Sequence, residues 1–315
     1  MASNQMYDQT DRWDPARGRH EVMTEAGFGP KLKTSKFEIY RKQLPVFVQK
    51  NKGLVTDPAF WRLLPQLVAM HRRNKALSYA GPRVIVATHH KAMTTYFNAV
   101  LRFFAYGCGL TYQKVLLGHP RDTAQVVLSN HGKLDFPALA PYRTIHLMRD
   151  PRDMIVSGYH YHKWTYEGWA RRPDESGRSY QDKLNTLDTT TGLFMEIDHF
   201  IFFYRDLLEQ WDMNDPDTLE VSYEALMSEG RDALYHEIFA FFGCEGERLQ
   251  LGLDLMRLFE AKRRTGRSKD AAQARHAHIR SGRSAQWRTE LTQQHLDYIE
   301  AQLGPVLRKF GYAPH

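Results

Sequence analysis

The stretch from Val84 to Ala105 constrains the chain more than any other. Val84-Ile85-Val86-Ala87 is a short β-branched apolar run, the signature of a buried parallel strand. A compact polar turn follows, Thr88-His89-His90-Lys91-Ala92-Met93. Thr94 and Thr95 then open a segment in which Phe97, Val100, Leu101 and Phe104 recur three to four apart, one face of a helix. Strand, cationic turn and hydroxyl-bearing helix start form an arrangement that α/β proteins use to hold a phosphate. The first-turn N–H groups and the positive end of the helix dipole face the anion there. Lys91 would add a full charge and the two threonines would add donors. The stretch is not a Walker loop, which needs glycines and Gly-Lys-Ser/Thr. No glycine stands between Gly81 and Gly107, and Lys91 precedes the hydroxyls. Taken alone, a surface loop with an ordinary exposed lysine would read the same way.

The rest of the chain adds context. At 315 residues it can bury a large core, and 42% hydrophobic with 25% charged residues is ordinary for a globular protein. No stretch approaches the roughly 18 consecutive apolar residues of a membrane span. The first residues lack the apolar core of a signal peptide, and there are only two cysteines, Cys108 and Cys244. Both are expected as free thiols, and the expected location is cytoplasmic. The net charge of +7 raises a nucleic-acid reading. Yet nine Lys/Arg and a single acid, Asp270, fall between Lys262 and Arg288. So local a patch suits a small polyanion as well as a nucleic-acid backbone.

In order along the chain, residues 1–56 read as a polar arm or irregular cover, and 57–315 as one domain. Asp57 and Pro58 open a packing helix whose stripe is Phe60, Leu63, Leu64, Leu67, Val68 and Met70. Tyr112–Leu117 and Gln125–Ser129 read as further strands. The second leads into Asn130-His131-Gly132, so His131 stands beyond a carboxyl strand end, where ligands gather in open parallel sheets. A neutral imidazole there can take a proton near pH 7; a loop histidine with only a local partner is the plainer alternative. Thr144–Met148 reads as a strand ending at Arg149-Asp150-Pro151-Arg152-Asp153, with Asp150 as N-cap and Pro151 in the first turn of the next helix. Arg149 at that corner suits bidentate phosphate binding, with Ser157 about two turns further on. His160 and His162 lie two apart on this helix and do not face each other, so no metal is expected. Residues 164–190 read as an aromatic-bearing lid or insertion. A long buried helix follows over 193–211, then a strand over 218–223. Helices are expected from Leu226 to Phe242, from Glu247 to Phe259, and from Thr289 to about Phe310. Residues 261–288 form the basic segment, in which Ser281-Gly282 permits a tight turn flanked by arginines.

Three segments in this order resemble the cytosolic-type sulfotransferases that use 3'-phosphoadenosine 5'-phosphosulfate (PAPS). That family's Pro-Lys-Ser-Gly-Thr-Thr-Trp is matched, with departures, by His90-Lys91-Ala92-Met93-Thr94-Thr95-Tyr96. Its Arg-Asp-Pro-Arg-Asp corner with a later serine is matched by Arg149–Asp153 and Ser157. Its Arg-Lys-Gly motif with a following Trp-Lys/Arg is matched by Arg280-Ser281-Gly282 and Trp287-Arg288. The resemblance covers roughly residues 80–311 and implies a single α/β domain, a central parallel β-sheet flanked by helices with a P-loop nucleotide kinase-like architecture.

By position, the resemblance implies that Lys91, Thr94 and Thr95 hold the 5'-phosphosulfate. Arg149, Ser157 and the Arg280-Ser281-Gly282 turn would hold the 3'-phosphate, while Tyr96, Tyr223 and Phe259 would contact adenine. His131 would be the catalytic base and Lys91 would assist the leaving group. PAPS would be the co-substrate, with no metal. The acceptor would be a small-molecule hydroxyl (a phenol, a lipid-like alcohol, a natural product or a sugar), with no nucleic-acid partner; a homo-oligomer is compatible with the sequence. Met93 stands where the family has the loop glycine, Ala92 where it has a hydroxyl and Ser281 where it has a basic residue. Some members use a carboxylate as base in place of histidine. A nucleotide-dependent kinase or ATPase would share the strand–loop–helix, but it has no use for a second anion site at Arg149, Ser157 and Arg280. A non-catalytic polyanion or nucleic-acid binder is favoured by the charge alone.

Overall fold

The computed structural model describes Leu54 and residues 57–116, 118–260 and 284–312. The remainder of the N-terminal arm and the greater part of the basic segment lie outside the described residues, and with them Arg280, Ser281 and Gly282. Five strands form one parallel sheet: β1 (Arg83–Ala87), β2 (Tyr112–Val115), β3 (Val126–Ser129), β4 (Tyr142–Met148) and β5 (Thr218–Ser222). The order is β2-β3-β1-β4-β5. β1 is central, with Val86 opposite Leu128 of β3 and Ile145 of β4. The expected apolar runs are thus the strands buried on both faces. Chain direction across the sheet reverses between β1 and β4, the place where open α/β sheets leave a crevice at their carboxyl edge.

Eleven helices are placed among the described residues around this sheet. In chain order they are α1 (Pro58–Asn74), α2 (Thr94–Gly107), α3 (Pro151–His162), α4 (Gly168–Arg171), α5 (Tyr180–Thr186), α6 (Thr189–Glu209), α7 (Tyr223–Leu226), α8 (Arg231–Phe241), α9 (Gly246–Leu258), α10 (Trp287–Glu290) and α11 (Gln293–Lys309). One core cluster joins Val84 and Val86 to Phe97, Val100, Leu101 and Phe104 of α2 and to α1, α8 and α9. A second gathers α3, α6 and α11 around Met154, Ile155, Leu193, Ile197, Ile299 and Leu303. Ile85 and Val127 point to the other face, over Leu139, as the period of two along a strand requires.

Local chemistry adjusts several expected boundaries. The strand expected over 112–117 ends at Val115, and the one expected over 125–129 starts at Val126. β5 stops at Ser222, because the Ser222 side chain caps Tyr223–Leu226 by accepting from Ala225 N, so Tyr223 opens a helix instead of closing a strand. The expected Leu226–Phe242 helix is two pieces with a turn between them, α7 and α8. The last helix is also divided. Thr292 accepts from His295 N and the His295 ring accepts from Thr292 N, a reciprocal cap that starts α11 afresh. The helix expected from 193 begins at Thr189, capped by Asp188, and the lid segment contains α4 and α5.

Asp153 fastens the C-terminal end to this frame. Its side chain is fully buried in the first turn of α3. Its oxygens accept from Ala285 N (2.8 Å) and Trp287 N (3.1 Å), and Arg149 Nη2 lies 3.5 Å away. Trp287 in turn stacks under the Arg152 guanidinium at 3.9 Å. Removing this carboxylate takes one acceptor from the buried Arg149 guanidinium, one from the buried Trp287 N–H and one from the part-buried Ala285 N–H. Asp153→Ala is expected to lower the unfolding free energy by roughly 3–5 kcal/mol in urea titration. Asp153→Asn keeps an acceptor and is expected to lose less.

Candidate active site

The loop leaving β1 is held from beneath by hydrogen bonds. Thr88 N and Oγ1 both donate to Ser129 O, at 2.9 and 3.1 Å, which ties the loop to the end of β3. Thr94 Oγ1 lies 2.9 Å from Thr88 Oγ1 and 3.2 Å from His89 O, closing the loop onto the start of α2. Ala92 is fully buried beneath it. Lys91 and Met93 both adopt left-handed backbone, at φ 66° and 56°. Each such residue costs about 1–2 kcal/mol. Met93 is the N-cap of α2 and supplies no side-chain cap to this fourteen-residue helix, which starts beyond the carboxyl end of β1. The position where the resembling family carries glycine thus keeps a glycine-type conformation with a methionine in it.

The second corner reaches this loop directly. Arg149 follows β4, is 5% exposed, and donates from Nη1 to Lys91 O at 3.2 Å. Its guanidinium lies 4.4 Å over the Tyr223 ring. Asp150 caps α3 and is bonded to Arg152, so these two side chains build the corner itself. Ser157 is half-buried on α3. Lys91 is half-buried with Nζ 4.1 Å above the Tyr161 ring. Desolvation first, and repulsion from Arg149 second, bring its ammonium down to about 7. The free site therefore holds a lysine poised between its two charge states. An anion arriving beside it would restore the proton.

Of the adenine contacts implied by resemblance, Tyr96 lines a small depression with Met93, Leu226, Met227, Arg231, Tyr235 and Glu260. Its hydroxyl donates to Met256 O at 2.7 Å. Tyr223 sits beneath Arg149 instead, outside the lining of that depression. Phe259 is 1% exposed and packs in the core on Phe103, with ring centres 5.5 Å apart, so this ring belongs to the core and no open face is left for a stacked base. Thr95 is exposed at the helix start.

His131 follows β3 and meets the same loop. Its Nδ1 is 2.9 Å from Tyr204 Oη, and Asn130 Nδ2 is 3.3 Å from its Nε2. With the Asn130 amide donating, Nδ1 carries the ring proton and donates to Tyr204, leaving Nε2 as the basic nitrogen. Desolvation, aided by Lys133, lowers His131 to about 4, so the ring is neutral at pH 7. Tyr204 Oη also accepts from His90 N at 3.0 Å. One hydroxyl of α6 therefore orients both the imidazole and the loop.

Two further side-chain chains underlie adjacent loop residues. His89 Nε2 lies 2.8 Å from His146 Nε2, whose Nδ1 donates to Glu220 Oε2 at 2.6 Å. His90 Nε2 lies 3.2 Å from His162 Nε2, whose Nδ1 is 2.9 Å from Glu196 Oε2. Burial, with repulsion from the neighbouring ring, keeps His89 and His90 well below the ordinary imidazole range. Sequence reading singled out His131 and missed His89, His90, Tyr204 and both carboxylates. The consecutive histidines at the end of a core strand were the available signal. Glu167 of the lid segment accepts from Tyr161 Oη (2.9 Å) and Trp169 Nε1 (2.7 Å), which ties the lid to the α3 tyrosine whose ring lies under Lys91 Nζ.

Tyr204→Phe strips His90 N–H and His131 Nδ1 of a shared partner. The expected cost is roughly 1–3 kcal/mol in chemical denaturation, with the far-ultraviolet spectrum unchanged.

Residues 136–311 match the family model of the sulfotransferase domain. No curated protein matches the chain. Among solved structures, the mouse sulfotransferase SULT7A1 complexed with PAP is similar at 14% identity and a TM-score of 0.47, over 76% of this chain and 88% of that one. Retinol dehydratase in complex with androsterone and the inactive cofactor PAP is similar at 14% identity and a TM-score of 0.47, over 76% and 86%. The same protein with retinol and PAP gives 15% identity and 0.41, over 77% and 86%.

Proposed function

Because the chain belongs to the sulfotransferase domain family, we propose that it moves a sulfuryl group from PAPS to the hydroxyl of a small acceptor. The observation that carries this reading is the Arg149 Nη1–Lys91 O contact at 3.2 Å, which brings the two corners read as candidate anion sites against each other. The residues suit such a donor: a helix start with two threonine hydroxyls and no cap from Met93 for the phosphosulfate, a buried arginine for the 3'-phosphate, and a depression walled by Tyr96 for the base. Arg280, Ser281 and Gly282 are assigned to the 3'-phosphate with Ser157 by resemblance. Their chain re-enters beside this corner at Ala285, on Asp153.

PAPS, when bound, supplies an activated sulfuryl group with a phosphate leaving group. Lys91 neutralises charge on the leaving oxygen, and the N–H groups at the start of α2 hold the remainder by fixed electrostatics. His131 takes the acceptor's proton at Nε2 once the acceptor hydroxyl displaces the Asn130 amide, and Tyr204 steadies the resulting imidazolium from Nδ1. Positioning and fixed cations provide most of the acceleration, as in phosphoryl transfer. Tyr161, Trp164 and Trp169 give the acceptor pocket aromatic walls suited to a phenol, a lipid-like alcohol, a natural product or a stacked sugar.

Calorimetric titration separates this reading from a kinase or ATPase. Adenosine 3',5'-bisphosphate is expected to bind at least about tenfold more tightly than ADP, roughly 1.4 kcal/mol. Equal affinities would remove the 3'-phosphate site. Because free Lys91 titrates near 7, binding above that pH must take up a proton. Affinity is therefore expected to fall from pH 7 to 9 in the wild type and to stay flat in Lys91→Met.

A sulfate-transfer screen with labelled donor against phenols, alcohols and sugars tests the activity itself. On any acceptor found, His131→Ala is expected to lose on the order of 10²–10⁴ in rate. Since His131 titrates near 4, kcat/KM should show no acid limb from His131 between pH 5 and 7. A variant within a few-fold of wild type would remove the base from this role.

A further inference from the structure

We infer that His162, Glu196 and His199 form a binding site for a divalent transition-metal cation of the zinc class, set between α3 and α6 behind the catalytic loop. One ligand atom from each of the three lies within 4.8 Å of the other two. His162 ends α3, while Glu196 and His199 stand three apart on one face of α6, the Glu-x-x-His spacing that aims two ligands at one point. Two histidines and a carboxylate with an open position are a donor set that zinc accepts. With bonds of about 2.0–2.2 Å, side-chain shifts of about an ångström bring all three onto one ion.

Glu196 gives the independent reason for a cation. Its side chain is 3% exposed, and its partners among the described residues are Tyr180 Oη at 2.9 Å and His162 Nδ1 at 2.9 Å. Neither is a lysine or arginine: Lys91, whose charged form Glu196 favours, is not among its hydrogen-bonded partners, and a buried carboxylate with no bonded cation is expensive. The backbone makes room for it: a Cβ on Gly158 would lie 2.4 Å from Glu196 Oε1.

Each ligand is also oriented from behind, as metal ligands usually are. Tyr180 donates to Glu196. The His199 ring lies flat on Trp169, 4.9 Å between centres and 9° between planes. The far nitrogen of His162 faces His90 Nε2 at 3.2 Å. That last contact works in either direction. Without metal, His162 Nδ1–H donates to Glu196 and His90 supplies the proton between the two Nε2 atoms. With metal on Nδ1, the His162 proton sits on Nε2 and is donated to His90, whose own proton moves to Nδ1. The ion would thereby fix the tautomer of the residue next to Lys91. His160, two positions before His162 on the same helix, faces away from this cluster and binds Glu290.

The test uses the full chain, stripped with chelator and titrated with cobalt(II) chloride and then zinc chloride. Visible absorption and calorimetry are the readouts. The wild type is expected to take one equivalent of cobalt(II) with a ligand-field band of low-coordinate nitrogen/oxygen ligation, displaced by one equivalent of zinc. Glu196→Gln and His199→Gln keep the size of the side chains and all other histidines, and each should weaken binding by about 100-fold or more. Equal affinity, within about twofold, in wild type and both variants would place the metal elsewhere and overturn the site. Should a variant fail to fold, the wild type decides alone: no ligand-field band at one equivalent overturns the proposal. None of these readouts depends on sulfuryl transfer, so failure here and failure of the activity screen are distinguishable.

Discussion

The bond from the Arg149 guanidinium to the Lys91 carbonyl is the contact on which the rest of the site depends. Arg149 leaves the central sheet at β4 and Lys91 leaves it at β1, neighbouring strands whose connections run in opposite directions. That topology opens a crevice, and the guanidinium spans it. A buried arginine needs several acceptors. This one draws on the Lys91 carbonyl, the Asp153 carboxylate and the Tyr223 ring face. Asp153 then binds Ala285 N and Trp287 N, bringing the C-terminal chain to the same corner. One side chain thus gathers the phosphate-type loop, the start of α3 and the return of the C-terminal segment.

The loop is strained, and its supports explain how it keeps its shape. Lys91 and Met93 in left-handed backbone together cost about 2–4 kcal/mol. Against this stand the Thr88–Ser129, Thr94–His89 and Tyr204–His90 hydrogen bonds, each worth about 0.5–1.5 kcal/mol net. Two Glu–His–His chains add to them, one rising from Glu220 to His89 and the other from Glu196 to His90. The glycine that would relax the backbone is absent, and side-chain bonding from beneath takes its place. Strain held by surroundings in this way is typical of ligand-binding loops.

These patterns decide which parts were legible in the sequence. Val84–Ala87 and Phe97–Phe104 announce themselves because strand and helix periods are local properties. Asp150-Pro151 reads as a helix start because capping chemistry acts over three residues. Thr292 and Ser222 used the same chemistry and divided elements that apolar periodicity had joined. What stayed hidden was pairing across elements. Tyr204 meets His131 from 73 positions away, and His162 meets Glu196 from 34. A rule about neighbours on one helix rightly separated His160 from His162, but it had no bearing on a partner carried by α6. Phe259 shows the converse. An aromatic at the expected place in order proved to be core, because position along the chain does not set which way a ring faces.

The histidines beneath the loop also bear on its electrostatics. His89, His90 and His199 are pushed well below the ordinary imidazole range by burial first and by neighbouring imidazoles (His146, His162 and His131) second, and His131 falls to about 4. The rings therefore contribute polar contacts without adding positive charge at neutral pH. Were they charged, they would repel Lys91 and Arg149 and lower the Lys91 ammonium further. Kept neutral, they leave Lys91 near 7, where Glu167 and Glu196 pull its proton on while burial and Arg149 push it off. A group so balanced responds to a small change in local charge. An anion a few ångströms away is a large one at the low effective dielectric of a half-closed cleft. The charge on Lys91 is thus set by what occupies the cleft, and full positive charge is recruited there when an anion binds.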